Sequence, residues 1–133
     1  MVAALFVAAA ATAARPPTTS GAGESTRFAA FYSPSRNLSC ELADRDVRGT
    51  YVYCQSVKLP HSVRMGLTGR LKICHGTHCL GNAAENTPTL GYGRQITVGR
   101  FRCRSLRSGV RCIVIRSGKG FLIDSKAVRR VAP

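Results

Sequence analysis

GYGRQITVGRFRCRSLRSGVRCIVIRSGKGFLID, residues Gly91 to Asp124, is the stretch from which the fold is most directly read. Within it Val98 to Arg104 alternates in residue type, Arg107-Ser108-Gly109 reads as a turn, and Val110 to Ile115 returns as a second strand. The spacing predicts a β-hairpin. Setting Cys103 opposite Cys112 brings Phe101 opposite Val114, and one face then carries Phe101, Cys103, Val110, Cys112 and Val114, an apolar set that belongs in a core. The other face carries Arg100, Arg102 and Arg104 on one strand and Arg111, Ile113 and Ile115 on the other, with Arg107 at the turn. In this register Arg104 lies directly opposite Arg111, and like charges so placed weaken a sheet. Water can screen such a pair; alternatively, the guanidinium forks can grip carboxylate or phosphate groups of a polymer.

Six cysteines, Cys40, Cys54, Cys74, Cys79, Cys103 and Cys112, fall into three sequence-local pairs. Spacing alone does not fix connectivity, but each neighbouring pair brackets turn-forming residues, which favours three hairpin staples over long-range bridges. A chain of 133 residues suits one domain with a modest core, so each staple, at roughly 2 to 3 kcal/mol, matters. Disulfides of this density imply an oxidising compartment.

The first residues point the same way. Val2 to Ala14 is uncharged and apolar, ends in small residues, and is too short to span a bilayer, so residues 1–14 read as a signal peptide cleaved after Ala11-Thr12-Ala13. No cysteine precedes Cys40, so a secreted, extracellular protein without a lipid anchor is expected. Residues 15–27, rich in Pro, Thr, Ser and Gly, read as a flexible linker, and a single β domain is expected over residues 28–131. The net charge is +14. It is concentrated late in the chain, where eleven basic residues face Asp124 alone between Arg94 and Arg130. Such a field attracts polyanions with a steep salt dependence.

Elsewhere the pattern is again one of short strands. Phe28 to Ser33 is an aromatic-rich strand, Leu38, Cys40 and Leu42 share one face of the next, and Thr50 to Ser56 returns so that Cys54 meets Cys40 and Val52 meets Leu42. Tyr51 and Tyr53 fall on the opposite face, where they either cover a second apolar layer or form an exposed stacking surface. Lys58 to Gly69 shows no period and reads as a loop. Leu71 to Leu80 reads as a tight hairpin with Gly76-Thr77 as a type II′ turn, His75 opposite His78 and Cys74 opposite Cys79. Gly118-Lys119-Gly120 leads into a last strand, Phe121 to Asp124. No segment has helical period, so the fold class is all-β: a small, disulfide-stapled antiparallel sandwich or partly open barrel of about eight short strands.

The ordered set Phe31-Tyr-Ser-Pro-Ser-Arg-Asn-Leu-Ser-Cys40, Tyr92-Gly-x4-Val98-Gly-x-Phe101-x-Cys103, Gly109-Val-x-Cys112 and Gly118-x-Gly120-Phe121 resembles an uncharacterised family of small secreted actinobacterial proteins. In the commoner pattern a Gly stands where this chain has Arg36. The resemblance implies export, paired cysteines and a β-rich fold, and implies no activity.

Catalytic and metal chemistry find little support. Cys74-His75-Gly-Thr-His78-Cys79 holds a zinc ligand set, yet on a hairpin the cysteines and histidines point to opposite faces. A weak site joining His75 and His78 to His61 or Glu85 is the lesser alternative. A hydrolase would have to draw on His61, His75 or His78 with Glu41 or Glu85, which nothing in the spacing brings together, and Lys58 to Met65 is the one stretch suited to a protease-inhibitory loop. Asn37-Leu38-Ser39 matches a glycosylation sequon, but Asn37 is expected to bond its own turn backbone. The expectation is therefore a non-enzymatic, monomeric module without metal or cofactor. It would bind an anionic polymer (a cell-wall glycopolymer, a membrane surface or extracellular nucleic acid) through Arg100, Arg102, Arg104, Arg107 and Arg111.

Overall fold

The Cys103 hairpin forms in the expected register: Phe101 pairs with Val114, Arg102 with Ile113, Cys103 with Cys112 and Arg104 with Arg111. The computed structural model describes residues 26–133, so residues 1–14, read above as a signal peptide, and all but the end of residues 15–27, read as a linker, lie outside the described residues. Ten strands are present: β1 (Phe28–Tyr32), β2 (Leu38–Asp46), β3 (Gly49–Ser56), β4 (His61–Met65), β5 (Leu71–His75), β6 (Gln95–Val98), β7 (Phe101–Leu106), β8 (Gly109–Val114), β9 (Gly120–Ile123) and β10 (Val128–Val131). A single 3-10 turn, Thr77–Cys79, follows β5. Strands β1 to β5 form one antiparallel sheet in chain order and β6 to β10 form the other. The two sheets stack as a sandwich and do not close into a barrel.

Both sheets turn an apolar face inward because their strands alternate. Leu38, Cys40 and Leu42 of β2, Val52 and Cys54 of β3, and Val63 and Met65 of β4 meet Phe101, Cys103, Val110, Cys112, Val114, Phe121 and Ile123 of the second sheet in one buried cluster. Phe31, Phe101 and Phe121 are at most 1% exposed, and burying each such side chain contributes roughly 1.5–3 kcal/mol. All three expected disulfides are present: Cys40–Cys54, Cys74–Cys79 and Cys103–Cys112. The first and third lie in the core, and Cys54 Sγ is 3.8 Å from Cys112 Sγ.

Several expectations are corrected. Lys58 to Gly69 is not a loop, because β4 lies between β3 and β5. Its inward positions are His61, Val63 and Met65, and the polar ring of His61 hides the period. The run from Val98 breaks at Gly99-Arg100, which turns β6 back against β7 so that Val98 pairs with Phe101. Phe121 to Ile123 is not the last strand, since β10 pairs beyond it through Val128 and Ile123. The Gly76-Thr77 hairpin does not form either. Gly76 donates its N–H to Pro60 O at 2.8 Å, and the 3-10 turn then carries Cys79 to Cys74 with a Cα separation of 5.7 Å. Asn37 does not bond its own turn. Its Oδ1 accepts from Lys58 N at 2.7 Å and its Nδ2 donates to Ser56 Oγ at 3.1 Å, tying the start of β2 to the β3–β4 turn. Arg36 sits at φ 60, and its guanidinium lies 4.2 Å over the Tyr32 ring. Glycine would take that backbone conformation without strain.

The outer face of the first sheet carries a second, smaller layer. Tyr51 is buried, donates to Glu41 Oε1 at 2.9 Å and lies beneath Arg64. Burial, reinforced by the Glu41 carboxylate, pushes its phenol up to about 12. Tyr53 donates to Cys79 O, and Gln55 exchanges two hydrogen bonds with Gly81. The tyrosines are therefore covering residues and not an open stacking surface.

At the rim the sheets are clamped by charge. Asp44, on β2, accepts from Arg100 N at 2.8 Å, Nε at 2.9 Å and Nη2 at 2.6 Å. Gly99 sits at φ 53, and a Cβ there would collide with the Asp44 carboxylate, so glycine is what lets the carboxylate reach the turn. The bond from the Arg100 side chain, opposed by burial, holds the Asp44 carboxyl below its ordinary value. A depressed folded pKa means that the clamp stabilises fully above the ordinary aspartate value of about 4 and that this contribution is lost as the pH falls through the lower folded value. Asp44→Asn should accordingly have a lower denaturation midpoint than the parent chain at neutral pH, with the gap narrowing in acid; a gap that stayed constant through the acid limb would show that the carboxylate charge is not what holds the sheets.

Candidate anion-binding face

Alternation puts Gln95, Arg104, Arg111, Leu122 and Arg129 in one lateral row across the outer side of the second sheet, each paired with the next. Strands stand about 4.8 Å apart, so the row from Arg104 to Arg129 crosses roughly 14 Å. Two residues along the strands lies a second row that includes Thr97, Arg102 and Ile113. Arg104, Arg111 and Arg129 are exposed, while Arg102, Ile113 and Leu122 are half-buried. The arginine stems and the two aliphatic side chains thus form a flat floor from which guanidinium heads rise into water.

Charge neutralisation on this face is sparse. Arg102 donates only to Thr97 Oγ1 at 3.3 Å. Among the described residues Arg104 and Arg111 make neither a side-chain hydrogen bond nor an ion pair within the protein. Arg129, which periodicity did not flag because β10 went unread, pairs with Asp124 at 3.1 Å. Burial raises the Asp124 carboxyl, but bonds from the Lys126 and Ala127 amides and from Arg129 outweigh it and hold the group below its ordinary value. Arg100 is removed from the expected set: it sits in the β6–β7 turn, bound to Asp44. Arg107 stands at the β7–β8 turn with its guanidinium 4.9 Å over the Tyr92 ring. There it opens onto a cleft of about 350 Å³ at the end of the sandwich, which Ser33, Ser108, Asp124 and Lys126 also line.

His61 and His75 pair across β4 and β5 with ring centroids 6.4 Å apart, without a carboxylate beside them among the described residues. His61 is 1% exposed, with Nδ1 against Leu59 O and Nε2 3.0 Å from Asp124 O, so it spans the two sheets. His75 and His78 are exposed, and among the described residues none of the three imidazoles is hydrogen-bonded to a carboxylate. Of Lys58 to Met65, His61–Met65 is the central strand β4, and Lys58 to Pro60 form the turn that leads into it. The structure also changes the geometry of the Cys-His segment, since the 3-10 turn places His78 Nε2 3.7 Å from both Cys74 Sγ and Cys79 Sγ.

His61→Phe keeps bulk but removes the single N–H that a neutral imidazole offers to the facing carbonyls of Leu59 and Asp124, at a cost of about 1–3 kcal/mol. Chemical denaturation should show this loss as a lower midpoint than that of the parent chain; an unchanged midpoint would show that the ring's hydrogen bond adds nothing to the fold.

Comparison with family models, with curated proteins and with solved structures returned no match for this chain.

Proposed function

We propose that this chain is an exported, monomeric, non-enzymatic β domain that binds an anionic polymer at or outside the cell envelope, laying it across the outer face of the second sheet. The observation that carries the reading is the pair Arg104–Arg111. Two arginines directly opposite each other in the ladder, with no acid paired to them among the described residues, weaken the sheet, so their presence calls for a gain elsewhere. A polymer carboxylate or phosphate between them supplies it, since the guanidinium fork donates to two oxygens of one group. Arg102 and Arg129 extend the grip to either side, and Arg107 and Lys126 draw the polymer toward the end cleft. Three disulfides in a domain of this size agree with an extracellular setting.

The test is a salt titration of binding to an anionic wall glycopolymer, to single-stranded DNA and to anionic vesicles. Every phosphate that the protein no longer neutralises should lower the slope of log affinity against log salt by roughly 0.7 on a single strand. Replacing Arg102, Arg104 and Arg111 with Gln should therefore lower that slope by about two units on the true ligand, weaken binding, and leave the melting temperature equal or higher. An unchanged slope in a folded triple variant would make the row a solvated surface and nothing more.

A further inference from the structure

The loop after β5 gathers two sulfurs and an imidazole at one point. Cys74 and Cys79 are bridged, and the two sulfurs and a His78 nitrogen all lie within 4.8 Å of one another. A tetrahedral zinc ion, with bonds of about 2.3 Å to sulfur and about 2.0 Å to nitrogen, sets its sulfur and nitrogen ligands about 3.6 Å apart. His78 Nε2 already stands at 3.7 Å from each sulfur. Only the two sulfurs would have to separate.

This arrangement is also held by contacts that do not involve the bridge itself. Gly76 N donates to Pro60 O at 2.8 Å, Cys79 N to Gly76 O at 3.1 Å and Leu80 N to Thr77 O at 3.1 Å. Tyr53 donates to Cys79 O, and Gln55 grips Gly81 on the far side. Gly76 is part of the fit: it sits at φ 111, and a Cβ there would press on the His78 ring at 3.0 Å, so the bare backbone leaves room for the imidazole over the bridge. Access differs from that of the other two disulfides. His78 is exposed and Cys74 half-buried, whereas Cys40, Cys54, Cys103 and Cys112 are at most 3% exposed.

We propose that Cys74, His78 and Cys79 form a redox-gated site for a zinc-like divalent cation. An external dithiol opens the bridge: two electrons and two protons pass to the cysteine sulfurs as the dithiol closes to its own disulfide. Cation binding releases those two thiol protons to solvent, the thiolates and the Nε2 lone pair supply three ligands, and water takes the fourth position. In the oxidised chain the sulfurs carry no thiolate charge and the site is closed to metal. The site lies on the first sheet, beyond β5, and stands independently of the arginine face.

The intact protein would be treated with a water-soluble phosphine, which opens the bridge as it takes oxygen from water, then desalted under argon, assayed for free thiols and titrated with Co2+ as an optical substitute for Zn2+. The expected result is one Co2+ per chain, with thiolate-to-cobalt charge transfer and the intense visible bands of a tetrahedral site, both abolished by Zn2+ and absent before reduction. His78→Ala should weaken binding by more than the roughly tenfold that follows loss of even an outer-shell partner. The Cys74→Ser/Cys79→Ser variant, carried through the same reduction, should take up none. A reduced chain with free thiols but no stoichiometric uptake, uptake indifferent to His78→Ala, or equal uptake by the serine variant would each overturn the proposal.

Discussion

Two disulfides in contact at the centre of the sandwich constrain everything that is built around them. Cys40–Cys54 joins the second and third strands of the first sheet, Cys103–Cys112 joins the second and third of the other, and the two bridges touch through Cys54 and Cys112. A slip of one residue in either hairpin would send every apolar side chain to the wrong face. A covalent cross-link between directly paired residues forbids that slip. With both registers pinned, the two alternating faces can only meet as they do, and the phenylalanines of β1, β7 and β9 fill the space around the sulfurs.

Four carboxylates are committed inside the fold. Asp44 clamps the β6–β7 turn, Asp46 accepts from Arg48 N and its guanidinium, Asp124 closes the β9–β10 turn, and Glu41 takes the Tyr51 hydroxyl. Acids at turns and rims stabilise a sandwich where backbone amides lack strand partners. The consequence falls on the far surface. With these acids engaged elsewhere, Arg104 and Arg111 of β7 and β8 face water without a counter-charge among the described residues, in a chain whose net charge is +14. Stability and electrostatic character are thus two results of one distribution of charge.

The arginines also divide by what they touch. Arg36, Arg48, Arg64 and Arg107 each lie over an aromatic ring at 3.9 to 4.9 Å, where the guanidinium covers apolar surface and gains from the ring quadrupole. Arg100 is tied into an inter-sheet clamp. Among the described residues Arg104 and Arg111 do neither, a difference that composition cannot show.

Features that rest on neighbours in the chain were legible in the sequence alone. The registers at Cys103–Cys112 and Cys40–Cys54, the turn at 107–109 and the opposition of Arg104 and Arg111 all follow from two-residue periodicity, which acts over a few residues and so can be read locally. Features that rest on contacts between distant segments emerged only once the chain was folded. β4 is a strand because β3 and β5 pair with it on either side and the buried ring of His61, which breaks the apparent period, finds a carbonyl of Leu59 or Asp124 for its N–H. Arg100 leaves the stripe because Asp44 on the opposite sheet draws it in. β10 forms on Val128 and Val131 only because β9 offers an open edge, and so brings Arg129 into the row. The Cys74–Cys79 segment coils because Pro60 and Tyr53 hold it from outside. In each case the partner lies many residues away, and no local pattern records a bond whose other half is elsewhere in the chain.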